Sequence, residues 1–167
     1  MKTALCRALI AAGLLASLPF ARAGDFPTAD RVVVEKAKRK LHLLRDNKIF
    51  RSFRITLGIS PVGHKEKEGD FKTPEGQYRL DNRNSDSDFF LAIHVSYPNG
   101  QDKRDARANG VPPGGQIMIH GQPNNPTYSV TYYKTQDWTN GCIAVSNSDM
   151  IDIWLMTPND IPIEIRP

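Results

Sequence analysis

Two side chains in this sequence have the types and surroundings for covalent catalysis. Thr139-Asn140-Gly141-Cys142-Ile143-Ala144 sets a thiol directly after a glycine. Ile117-Met118-Ile119-His120-Gly121 ends an apolar run with an imidazole. A cysteine nucleophile needs a base or cation that favours thiolate, donors for the oxyanion, and backbone room for substrate. His120 is the candidate for the first. The N–H groups of Gly141 and Cys142 are candidates for the second, with Gly121 beside the imidazole. Gly141, lacking a side chain, is the candidate for the third. A buried, inert cysteine is the competing reading. A zinc site from Cys142 and two histidines is disfavoured, because no paired ligands stand at short spacing.

The compartment sharpens the cysteine argument. Lys2 precedes an apolar run, Ala8 to Phe20, too short to span a bilayer, and Ala21-Arg22-Ala23 offers a cleavage site. Residues 1–23 read as a secretory signal peptide; a retained N-terminal anchor is the lesser reading, because the apolar run is short and ends in a cleavage-like site. Cys6 leaves with it, so Cys142 becomes a lone thiol in an oxidising place, either a dimer link or a reactive group. Of 22 basic residues, Lys2, Arg7 and Arg22 also leave, and 19 face 18 acids in the remainder. That near-balance, with no basic stripe, excludes a nucleic-acid binder. No other run could cross a membrane, so the expectation is a periplasmic protein with no membrane span after cleavage.

The elements around these residues read as mostly β, with one or two short helices. Val32-Val33-Val34 opens a strand, and Leu41 to Leu44 with Ile49 to Leu57 forms a hairpin across Asp46-Asn47. Gly58 to Gly76 is loop; Gln77 to Leu80 resumes a strand; Asp81 to Asp88 is a polar turn region. Phe89 to Tyr97 and Gln116 to His120 are strands, separated by a long polar segment from Pro98 to Gly115. Gly121 to Thr139 is a second long segment. Ser146 with Asp149 opens a helix carrying Met150, Ile153 and Trp154, which Thr157-Pro158 ends. Ile161, Ile163 and Ile165 alternate in a last strand.

Other residues have plainer readings. His94 and His42 are surface or structural strand positions. His64 lies in a Lys-Glu run that reads as a solvated loop. Asp137 reads equally as a third member of a triad or as a solvated loop acid. Tyr128, Tyr132, Tyr133 and Trp138 are either loop packing or a wall for substrate.

Three motifs in order resemble the L,D-transpeptidases with a YkuD-type catalytic domain. They are Thr73-Pro74-Glu75-Gly76, then Ile119-His120-Gly121-x-x-Asn124-Asn125-Pro126, then Thr139-x-Gly141-Cys142-Ile143. Tyr97-Pro98-Asn99 and Pro113 to Gln116 resemble a Gram-negative periplasmic branch. The likeness covers residues 31–167 as one catalytic domain. It implies a β-sandwich-like fold, Cys142 as nucleophile, His120 as general base held by a carbonyl beside Gly121, and no cofactor. Asn124, Asn125, Trp138, Thr139 and Asn140 become candidate substrate contacts.

The implied substrate is the peptidoglycan stem peptide, as donor and as acceptor. Cysteine attacks the carbonyl after the third residue, often meso-diaminopimelate. D-alanine leaves, and an amine resolves the thioester in cell-wall biogenesis and remodelling. Carbapenems are the implied inhibitors. The chain departs from the family at Asn140, where a second histidine is common, and in its longer interval from His120 to Cys142. At Ala144 the family carries an arginine, a cation expected near the thiolate or substrate. The alternatives are an L,D-carboxypeptidase or other hydrolase on the same thioester, and a non-catalytic wall-binding module.

Overall fold

The computed structural model describes residues 27–167. The expected signal peptide lies outside them. Eight strands form: β1 Arg31–Glu35, β2 Lys40–Arg45, β3 Lys48–Arg54, β4 Gly76–Ser87, β5 Phe90–Val95, β6 Met118–His120, β7 Ile143–Ala144 and β8 Ile161–Arg166. They make one sheet in the order β3-β2-β1-β8-β4-β5-β6-β7. The last strand thus lies in the middle, parallel to β1 and antiparallel to β4. Its sequence explains the placement: Ile161, Ile163 and Ile165 are all buried, beside Val32, Val34, Tyr78 and Leu80. Burying each such side chain contributes roughly 1.5–3 kcal/mol.

The sheet curls until its two edges meet. Beyond β3 the chain bridges from Thr56 to Ala144 and from Gly58 to Thr139. Core side chains from both halves then fill the interior, giving the sandwich-like form. Helix α3, Asn147–Met156, lies against β5 and buries Met150, Ile153 and Met156 at helical spacing. The Ser146 side chain caps it by accepting the Asp149 N–H at 3.1 Å.

Three differences from the sequence reading have physical reasons. Asp81 to Asp88 is not a turn: β4 runs on to Ser87 and pairs with β5 from Leu80↔Val95 to Ser87↔Phe90. This outer half of the hairpin stands in solvent, so its residues are polar and carry no hydrophobic alternation. Among the described residues three helices form, not one or two. Helix α1, Gly100–Ala108, has an Asn99–Asp102 capping box, and α2, Val130–Thr135, is capped by Ser129. The Lys-Glu run is not simply solvated. Lys65 is 3 % exposed and donates to Asp70 at 2.8 Å. His64 accepts the Glu75 N–H at 3.0 Å and meets Asp102 at 3.2 Å.

The buried Lys36 amine donates to Gly63 O, Thr73 O and Glu75 Oε1 at 2.6, 2.9 and 2.8 Å. It thereby fixes the loop between β3 and β4, which backs the cysteine turn.

Candidate active site

Strands β6 and β7 run parallel in the register Ile119↔Ile143 and His120↔Ala144. This pairing brings two segments 22 residues apart in sequence side by side. His120 and Cys142 line one cavity of about 510 Å³. Trp138, Thr139 and Asn140 form one wall, and Asn84, Asp86, Ser87, Asp88 and Phe89 of the β4–β5 hairpin form another.

The imidazole is 4 % exposed. Its Nδ1 lies 2.7 Å from Gly121 O. A carbonyl can only accept, so Nδ1 carries a proton, and in the neutral ring Nε2 keeps its lone pair. Burial depresses the imidazole from 6.5 to about 4. Phe89 and Trp138 enclose it, with ring centroids 4.7 and 5.6 Å from the imidazole and 5.9 Å from each other.

The Cys142 Sγ accepts the Met118 N–H at 3.4 Å and lies 3.5 Å from Gln116 O. Burial pushes the thiol up. Among the described residues it makes no hydrogen bond to His120. The resting pair is therefore a neutral thiol and a neutral imidazole, rather than a thiolate favoured by a cation.

The turn before Cys142 is held from inside. Thr139 Oγ1 accepts the Gly141 N–H at 3.1 Å and donates to Cys142 O at 2.7 Å. This changes the reading of Gly141. Its N–H is engaged, which leaves the Cys142 N–H as the candidate oxyanion donor. Its missing side chain serves packing, since a Cβ would stand 2.6 Å from Lys72 O and its φ is +128°. The Lys72-Thr73-Pro74 motif thus sits directly behind the nucleophile turn.

Gly121 is likewise no oxyanion donor: its N–H donates to Phe89 O and Leu91 O at 3.0 and 3.2 Å. A Cβ there would stand 2.6 Å from Asn147 Oδ1 and 3.1 Å from Phe89 O.

Trp138, Thr139 and Asn140 line the cavity; Asn124 and Asn125 do not. Asn124 is spent on the hairpin tip. Its side chain donates to Ser87 O at 2.8 Å and accepts the Phe90 N–H at 3.0 Å. Asp137 is not a free loop acid and touches no part of the imidazole. It meets the Arg39 guanidinium at 2.6 Å and accepts the Leu57 N–H at 2.9 Å. The aromatic cluster divides. Trp138 joins the wall, whereas Tyr133 packs inside, its hydroxyl accepting the Thr127 N–H at 3.1 Å.

Ala144 is also misplaced by the sequence reading. It is 1 % exposed and borders a second cavity of about 280 Å³ with Arg54, Gln122 and Asp149, not the thiol's cavity.

The hairpin wall of Asn84, Asp86, Asp88 and Phe89 escaped sequence reasoning. The adjacent Phe89-Phe90 after a polar run was the available signal.

A family model for the L,D-transpeptidase catalytic domain, YkuD, matches residues 29–165. The chain belongs to the L,D-transpeptidase family. YafK of Escherichia coli (strain K12), assigned to the L,D-transpeptidases, is 40% identical over 73 residues, 42% of this chain and 27% of that protein.

Two crystal structures of Pgp2, the helical cell shape determining protein of Campylobacter jejuni, align at TM-scores of 0.64 and 0.61. They are 28% identical over 81% of this chain and 46% of theirs. Bd1075 of Bdellovibrio bacteriovorus aligns at 0.55, 26% identical, over 80% and 46%. The chain spans less than half the length of these relatives. As in other L,D-transpeptidases the domain is mostly sheet. Among the described residues no helix is long and apolar enough to cross a membrane, and no three His, Cys, Asp or Glu side chains could hold a metal.

Proposed function

We propose that this L,D-transpeptidase family member is a peptidoglycan L,D-transpeptidase that acts through a thioester on Cys142. The observation that carries the reading is the placement of the buried His120 imidazole. Its tautomer is set by Gly121 O, and it shares a cavity with the thiol. His120 Nε2 takes the thiol proton as Sγ attacks the stem carbonyl after its third residue. A C–S bond forms, and the carbonyl oxygen becomes an oxyanion that the Cys142 N–H can meet. The intermediate collapses, the C–N bond breaks, and the departing amine, D-alanine in a tetrapeptide stem, takes the proton from His120. An acceptor amine then attacks the thioester while His120 removes its proton, and Cys142 leaves as the thiol. General acid–base help of this kind contributes about 10²- to 10⁴-fold. No cofactor takes part. The Cys142 N–H, the Trp138 to Asn140 wall and the hairpin wall bind the stem. Residues 1–23 serve as the signal that exports the domain to the periplasm.

A second reading, an L,D-carboxypeptidase, draws on one observation. The Gly121 to Thr139 segment, long enough to cover the site, instead folds as α2, with Tyr133 O toward Thr56 and Arg54 Nε toward Lys134 O. Only its end, from Trp138, reaches the thiol's cavity. An uncovered thioester admits water as acceptor.

The experiment is a tetrapeptide muropeptide with excess D-amino acid, products separated by mass. Exchanged or cross-linked stems establish transfer; tripeptide alone at every acceptor concentration establishes hydrolysis. Turnover that persists in Cys142→Ala would remove the mechanism, and binding without turnover in the wild type would leave a wall-binding module.

A further inference from the structure

We infer that Asn124 and Phe89 are positioning residues for His120: Asn124 fastens the tip of the β4–β5 hairpin, and the tip lays the Phe89 ring on the imidazole. The inference rests on the proposed role of His120 as base.

The tip has no reason of its own to stay in place. Its residues Ser85 to Asp86 and Asp88 to Phe89 are exposed, and the β4–β5 register is irregular between Asn84 and Ser87. Phe90 has φ +69°, a left-handed conformation that a bulky side chain adopts only under strain. Such a residue persists only where its surroundings over-determine it.

Asn124 supplies that constraint with three hydrogen bonds. Its Nδ2 donates to Ser87 O at 2.8 Å, its Oδ1 accepts the Phe90 N–H at 3.0 Å, and its own N–H donates to Asp88 O at 2.9 Å. Gly121 adds a fourth contact, donating to Phe89 O at 3.0 Å. The Phe89 N–H is turned to Ser87 Oγ at 3.1 Å.

Held this way, Phe89 stands 4.7 Å from the His120 ring and 5.9 Å from Trp138, which closes the other side. The spacing His120-Gly121-x-x-Asn124 thereby acquires a mechanical meaning. The imidazole, the glycine that packs under the tip and the side chain that ties the tip down are one unit.

The consequence is control of the imidazole's charge. An aromatic lid without a donor excludes water and disfavours imidazolium. The titratable groups that line the same cavity are the Cys142 thiol and, on the hairpin, Asp86 and Asp88. Asp137, beside Trp138, is turned away to Arg39 and Leu57. Removing Phe89 would admit water to the ring, which moves the imidazole upward from about 4 toward 6.5.

The test follows the His120 ring by NMR titration in wild type, Phe89→Ala, Phe89→Leu and Asn124→Ala. The acid limb of kcat/KM is measured alongside. Phe89→Ala should raise both midpoints by at least one pH unit, Phe89→Leu should restore them, and Asn124→Ala should move them in the same direction. Unchanged midpoints in Phe89→Ala, with or without loss of rate, would overturn the inference. So would a shift in Phe89→Ala that Phe89→Leu fails to reverse. Should Asn124→Ala not fold, the two Phe89 variants decide. The NMR titration needs no turnover. A wild type without activity would therefore remove the proposed function and leave this inference to stand or fall by the midpoints.

Discussion

His120 ties stability to pH in a way that a single substitution can isolate. In the folded chain the buried imidazole titrates near 4, against 6.5 when unfolded. A depressed base is neutral when folded and protonated when unfolded between those values. Stability is therefore fully present above about 6.5 and is lost as pH falls toward 4. At about 1.4 kcal/mol per pH unit, the interval amounts to about 3 kcal/mol. His120→Gln removes the titration, while His42, His64, His94 and Asp70 stay the same in both proteins and cancel in the difference. Urea unfolding would be followed from pH 7.5 to pH 4. The wild type's stability relative to His120→Gln should shrink by about 3 kcal/mol across that range. With an m-value of roughly 1–3 kcal/mol/M, its urea midpoint should move by about 1 M or more relative to the variant. Two parallel curves across the range would refute a buried neutral imidazole.

Because the resting thiol is neutral and pushed up by burial, alkylation of Cys142 by iodoacetamide should rise about tenfold per pH unit through pH 8, with no plateau near neutrality. A plateau at pH 6 to 7 would instead mean a preformed ion pair. Thr139→Val should lower kcat more than tenfold with little change in KM, since it releases both the Gly141 N–H and Cys142 O, and Thr139→Ser should recover most of the rate; equal loss in the two variants would argue against the hydrogen bonds. Carbapenems should add one adduct mass to the wild type and none to Cys142→Ala, and an adduct on both would place the acylation elsewhere.

The strands were legible wherever one face is buried: Ile161, Ile163 and Ile165, or Phe53, Ile55 and Leu57, alternate because the core takes every second side chain. The outer half of β4 was not, because backbone pairing to β5 carries it while its side chains face water. The cysteine and histidine stood out through their neighbours. What those neighbours do was hidden. Gly141 and Gly121 read as room for substrate or as donors, yet both are demanded by contacts with Lys72 O and with the Phe89 backbone, partners 69 and 32 residues away in sequence. Asn124 and Asp137 read as a substrate contact and a loop acid for the same reason: their partners lie on distant segments. Ala144 follows from alternation of a strand only two residues long, too short to reveal its face.

The placement of the motif residues bears on what a substrate of the proposed reaction would meet. The motif residues other than Cys142, His120 and Thr139 stay out of the cavity. Lys72 and Thr73 back the cysteine turn, Gly121 and Asn124 hold the hairpin tip, and Gly141 fits against Lys72. They preserve an attack geometry, which is common to transfer and to hydrolysis. The surface a substrate would meet is made elsewhere, by Asn84, Asp86, Asp88, Gln116, Trp138 and Asn140. That surface holds two carboxylates and no lysine or arginine, so it favours an approaching amine or ammonium over a free carboxylate. Under the proposed reaction the approach of the acceptor amine would depend on the hairpin wall rather than on the motifs, and exchanging Asp86 and Asp88 for Asn is the substitution that addresses it while the attack geometry is kept.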